Sequence, residues 1–141
     1  MTIDAQRIRE RLKVGSAYIS ALDRVVATDE EKWLTDLDTH LKAERIYEVL
    51  SQIMLDICTH IVANSEITPP MSYAECMLKL ATLGVFPIDQ ARLYSGFIKM
   101  RNLVVHQYSE IDYSTLLESL KGLKVAFLTF RTHLIRFLAG K

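Results

Sequence analysis

Apolar residues recur along almost the whole chain at steps of three and four, the spacing that gathers them on one face of an α-helix. From Asp4 to Ala27 the stripe is Ile8, Leu12, Ile19, Leu22 and Val26, with Asp4 placed to cap its start. Thr28 and Asp29 interrupt it, and Glu30 and Glu31 suit the first turn of a short helix carrying Trp33 and Leu34. A second long segment, Thr39 to Asn64, has a wide stripe of Ile46, Val49, Leu50, Ile53, Met54, Ile57 and Ile61. On a different face of that segment Gln52, Asp56, His60 and Asn64 step by four. Pro69-Pro70 closes the loop that follows, and Ser72-Tyr73-Ala74-Glu75 has the form of a capping box. The short helix it opens carries Met77, Leu78, Leu80, Ala81 and Leu83, and Gly84 stands where a left-handed C-cap belongs.

Pro87 suits the first turn of the next helix, which carries Ile88, Ala91, Leu93, Tyr94, Phe97, Ile98 and Met100 and reaches His106. After a turn at Ser109 to Asp112, with Asp112 as N-cap, the stripe resumes from Tyr113 through Leu116, Leu120, Leu123, Phe127, Phe130 and Leu134 to Leu138. No stretch alternates with period two for long enough to make a strand. The expectation is an all-α protein, an antiparallel bundle of about five helices joined by short connections.

Composition narrows the picture. The chain has 141 residues, half of them hydrophobic, with 5 Gly and 3 Pro, and reads as one ordered domain spanning residues 1–141. Lys and Arg number 17, as do Asp and Glu, and this balance argues against a protein that coats nucleic acid, though not against a small basic site for one phosphate. Cys58 and Cys76 stand in apolar helical stretches without ligand spacing, so no zinc site and two buried, reduced thiols are expected. Met1-Thr2-Ile3-Asp4 is not the start of a signal peptide, and no uninterrupted apolar run of membrane-spanning length occurs, so a cytoplasmic protein without a membrane partner is expected. His40 and His133 have no partner pattern and are expected at the surface. Trp33 is expected to pack its short helix onto the bundle rather than to anchor a partner.

One segment gathers chemistry. Arg101-Asn102-Leu103-Val104-Val105-His106-Gln107-Tyr108 places a guanidinium, an amide, an imidazole and a phenol within eight residues near a helix end. On an ideal helix Arg101 and Tyr108 lie within about 20° of each other, while Arg101 and His106 are about 140° apart. A fraying helix end, or paired helices across a two-fold cleft, would bring the last two together. These groups permit RNA cleavage without metal. An imidazole near neutral pKa can move the protons, a guanidinium can grip phosphate oxygens, and Asn102 can orient either. The same residues could also be structural, with His106 at a helix end, Arg101 a surface charge and Tyr108 a packing aromatic.

The pattern Arg, four residues, His, one residue, Tyr resembles the motif of HepT-like toxins in the HEPN superfamily. Asn102 directly after the Arg, and Ile111-Asp112 downstream, also resemble that family. So do Asp56-Ile57-Cys58-Thr59-His60-Ile61-Val62 and Ser72-Tyr73 followed by Leu80 and Gly84-Val85, so that the likeness runs from about Asp4 to Phe137. The resemblance implies a homodimeric helical bundle whose Arg-His motifs face a shared cleft. It implies a metal-independent endoribonuclease toxin, needing no cofactor, with tRNA among its targets. Arg101 and His106 would be the catalytic pair, with Asn102 and Tyr108 in support. It further implies an MNT-type nucleotidyltransferase antitoxin as partner, which adds AMP to Tyr108 and thereby blocks RNA. Asp56 and His60 could pair and line the cleft, or belong to a hydrated polar stripe. Lys79, Arg92, Lys99 and Arg101 are the nearest candidates for an RNA-binding surface. The alternative is a non-catalytic, nucleotide-binding accessory subunit of a nucleotidyltransferase.

Overall fold

A computed structural model describes residues 2–106 and 111–140, with the backbone alone described at His106. In chain order the described residues form α1 (Ala5–Val26), α2 (Glu30–Thr35), α3 (Leu37–Ala63), α4 (Tyr73–Thr82), α5 (Ile88–His106) and α6 (Tyr113–Ala139), with no strand among them. The described residues thus form six helices rather than about five, the short α2 that carries Trp33 included.

The helix starts are written locally. Asp4, Asp29, Asp36, Ser72 and Asp112 each stand in the N-cap position, and each side chain accepts a backbone N–H from the first turn. Asp36 caps α3 so that the helix starts at Leu37, two residues before the expected start at Thr39. The Ser72 capping box is half as expected: Ser72 Oγ accepts from Glu75 N at 3.1 Å, but Glu75 reaches back one residue further, to Met71 N at 2.7 Å. At the other end of α4, Gly84 has φ +81°. There Gly84 N–H donates to Ala81 O and Val85 N–H to Leu80 O, both at 3.0 Å, the paired bonds of a left-handed helix stop.

Helix α3 is the axis of the bundle. It packs against α1, α2, α4, α5 and α6, and Leu50, Met54, Ile57, Cys58 and Ile61 on it have almost no contact with solvent. The leucine, methionine and isoleucine side chains among them each contribute roughly 1.5–3 kcal/mol by burial. Because it is covered on so many sides, α3 is unusually apolar: its 27 residues contain an 18-residue window of mean hydropathy 1.3, long and apolar enough to cross a membrane. Scattered charges such as Glu48 and Asp56 interrupt it, so it contains no unbroken apolar run of that length. Here 61% of that window is buried inside the protein, and the hydrophobicity serves the core.

Helices α1 and α6 meet at Gly15, whose missing side chain makes room for the Phe127 ring. The stripe on α5 is narrower than its sequence suggests: Ala91, Tyr94 and Ile98 are buried, whereas Ile88 and Leu93 are exposed.

Three expectations are corrected by packing. Cys58 and Cys76 are joined in a disulfide between α3 and α4 rather than standing as separate thiols, since the two helices approach to a Cα–Cα distance of 6.2 Å there. His40 is buried, not at the surface: its Nε2–H donates to Trp33 O at 2.5 Å and its ring stacks on Tyr113 with centroids 3.6 Å apart. His133 is half-buried, edge-on to Phe86. Trp33 is buried as expected, its Nε1–H donating to Tyr113 O at 2.8 Å, so that α2 is tied to the start of α6.

Candidate functional site

Arg101 to His106 form the last turns of α5, and the Arg101 side chain reaches α3. Those helices are fixed just upstream of it. The Tyr47 hydroxyl of α3 donates to Phe97 O at 3.3 Å, one turn before Arg101, and shares a hydrogen bond of 2.9 Å with Ser119 of α6. Burial pushes the Tyr47 phenol well above its ordinary value, so it stays neutral and able to donate.

From Arg101 a continuous chain of side-chain hydrogen bonds crosses α3 to α1. Arg101 donates from one terminal nitrogen to Gln52 Oε1 at 2.5 Å and from the other to Asn102 Oδ1 at 3.1 Å. Gln52 Nε2 donates to Asp56 Oδ1 at 2.7 Å, and Arg11 of α1 donates to Asp56 Oδ2 at 3.0 Å. The Nε of Arg101 and the Nε of Arg11 are buried with no hydrogen-bond partner among the described residues. Arg101 also has no carboxylate within ion-pair distance among them. Among the described residues its charge is therefore met by neutral amides alone.

The other predicted residues divide. Asp56 joins the chain from Arg101, two bonds away. His60 does not pair with it: its Nε2 accepts from Asp4 N at 2.9 Å, while Asn64 donates to His60 O at 2.8 Å. Since α3 turns His60 toward the start of α1, the residue fastens those two helices. Arg7, Arg11, Asp56, His60 and Asn64 line a shallow groove of about 440 Å³. The side chain of His106, and Tyr108 altogether, lie outside the described residues.

The expected basic surface also divides. Arg92 and Lys99 line a recess against α4, where Lys79 pairs with Glu75 at 3.8 Å, whereas Arg101 turns to α3. Residues 99 and 101 are two apart on a helix and so point to nearly opposite sides. A recess of about 750 Å³ between α1 and the start of α3 includes none of the motif residues. Among the described residues no group of three His, Cys, Asp or Glu could hold a metal ion.

Sequence reading missed Gln52 and Arg11 as members of the site. Gln52 was visible only as part of a polar stripe with Asp56, and nothing in the sequence marked Arg11.

Fold and motif together define the class. A family model described as Ribonuclease HepT-like matches residues 16–130, and the chain belongs to that family. Among curated proteins it is similar to the tRNA nuclease HepT of Aphanizomenon flos-aquae (strain 2012/KM1/D3), with 23% identity over 105 residues, 74% of this chain and 71% of that protein. Among solved structures, YutE of Bacillus subtilis, a cytosolic protein of unknown function, superposes with a TM-score of 0.83 at 20% identity, covering 96% of this chain and 91% of that one. A tri-AMPylated HEPN toxin of Shewanella oneidensis, solved in complex with an MNT antitoxin, has a TM-score of 0.81 at 17% identity, covering 92% of this chain and 96% of its own. These two likenesses are likenesses of fold.

Proposed function

We propose that this chain, as a single domain of residues 1–141, is a metal-independent endoribonuclease toxin of a toxin–antitoxin pair, acting on tRNA in the cytoplasm. The observation that carries the reading is the state of Arg101, held half-buried by neutral acceptors, uncompensated by any described carboxylate, and five residues before His106 on the same helix. Arg101 grips the scissile phosphate and stabilises its developing charge. The RNA 2′-oxygen attacks phosphorus as its proton is removed, the bond to the 5′-oxygen breaks, and that oxygen takes up a proton. His106 is the group that moves these protons. One imidazole cannot take one proton and deliver another in the same instant, so a homodimer with two copies of His106 at one cleft suits the reaction. Asn102, which accepts from Arg101, helps to orient it.

Control would fall on Tyr108. A partner nucleotidyltransferase of the MNT type would transfer AMP from ATP to the phenol oxygen, releasing pyrophosphate. The added phosphate would then occupy the anion site beside Arg101. The AMPylated Shewanella oneidensis relative in complex with its antitoxin supports this reading.

The test is cleavage of total tRNA in EDTA by unmodified wild type and by His106→Ala, with intact mass and melting recorded. Wild type should cut, and the variant should lose at least about 100-fold in rate with its melting unchanged. Tyr108→Phe should cut but take up no AMP from the nucleotidyltransferase. Equal cleavage by His106→Ala would remove His106 from the mechanism. An unmodified wild type that binds AMP but cuts nothing would favour a nucleotide-binding accessory subunit.

A further inference from the structure

Arg101 has to satisfy two demands that oppose each other. To grip a phosphate it must keep one direction, because a long side chain left free loses rotamer entropy when the ligand orders it. It must also keep its positive charge uncompensated. A carboxylate partner would meet the first demand and defeat the second.

The partner present is the neutral amide of Gln52, and its orientation is determined on both sides. A guanidinium only donates and an ionised carboxylate only accepts. Placed between Arg101 and Asp56, the amide must turn Oε1 to Arg101, at 2.5 Å, and Nε2 to Asp56, at 2.7 Å. An amide joins a donor to an acceptor in this way without adding charge. Asp56 is itself neutralised on its far side by Arg11 at 3.0 Å. The negative charge that anchors the chain is thus kept one side chain away from Arg101 and spent on a different arginine. The buried Nε of Arg101 has no hydrogen-bond partner among the described residues, so its two terminal nitrogens carry the contacts that direct the guanidinium.

We infer that Gln52 is a positioning residue for Arg101, aiming its guanidinium at the scissile phosphate without neutralising it, and that Asp56, itself held by Arg11 of α1, keeps Gln52 in that orientation. This rests on the ribonuclease reading. It assigns α1 a part in the site, although no residue of α1 belongs to the motif.

The experiment is steady-state tRNA cleavage by unmodified wild type, Gln52→Met, Gln52→Glu, Arg101→Lys and the double variant Gln52→Met/Arg101→Lys, with melting measured on each. Methionine fills the space of glutamine without its amide. Gln52→Met should lower kcat about 10- to 100-fold with KM and melting nearly unchanged. In the Arg101→Lys background, which has no fork to aim, the same change should cost less than threefold. Gln52→Glu retains the reach and should keep the fold, yet lose activity, because its carboxylate pairs with Arg101 and faces Asp56. Wild-type cleavage with Gln52→Met or Gln52→Glu within twofold of it would overturn the inference alone, as would a loss that multiplies with that of Arg101→Lys. A loss of activity that tracks a loss of melting in both Gln52 variants would assign Gln52 to the fold and overturn it too. Failure of wild type to cut would overturn the ribonuclease reading and this inference with it.

Discussion

The Phe127 ring of α6 lies against the backbone of Gly15 in α1, in the space a Cβ on that residue would occupy. Glycine in a helix interior costs about 1 kcal/mol relative to alanine, so its presence in the middle of α1 needs such a reason. The ring is fully buried among core residues and cannot swing aside. Gly15→Ala should therefore destabilise the protein by about 1–2 kcal/mol, the overpacking strain exceeding the gain in helix propensity. Urea unfolding measures it. Phe127→Leu in the Gly15→Ala background should cost less than Phe127→Leu alone; equal costs would mean that the ring and the glycine are not in contact.

The cap at Asp36 makes part of the stability acid-sensitive. Side-chain and backbone hydrogen bonds from Thr39 hold the Asp36 carboxyl below its ordinary value of 3.8. A carboxyl depressed by folding contributes stability that is complete above the unfolded value and is lost as pH falls through the folded one. Serine caps a helix about as well as aspartate but does not titrate. The advantage of wild type over Asp36→Ser should be present at neutral pH and shrink below 3.8. Urea midpoints of both proteins at several pH values test this, and an offset independent of pH would contradict it.

The bond between Cys58 and Cys76 joins residues 18 apart in sequence. Closing a loop of that length restricts the unfolded chain by about 3 kcal/mol. Oxidised protein should accordingly resist urea more than protein fully reduced under denaturing conditions and refolded with reductant. Alkylation in denaturant reads the bond directly: no thiol should be labelled before reduction and two after it.

Several features were legible in the sequence because they depend only on near neighbours. The caps at Asp4, Ser72 and Asp112, the left-handed stop at Gly84 and the stripes of α1, α3 and α6 all follow from residues within a few turns. So does the Arg101–Tyr108 motif, which needs no partner to be recognised. Helical periodicity also placed Gln52, Asp56, His60 and Asn64 on one face of α3.

Periodicity states which residues share a face but not what lies opposite. Gln52 meets Arg101 of α5, Asp56 meets Arg11 of α1 and His60 meets Asp4 at the start of α1, partners that lie on other helices and that the α3 sequence does not name. His40 is buried for the same reason: Trp33 and Tyr113 close over it from α2 and α6. Local sequence determined the helices and the chemistry carried near the end of α5, since capping and amphipathicity act over a few residues. Tertiary structure decided which cysteines could bond, which histidines were buried and how Arg101 keeps its charge, since each of these depends on helices brought together from distant parts of the chain.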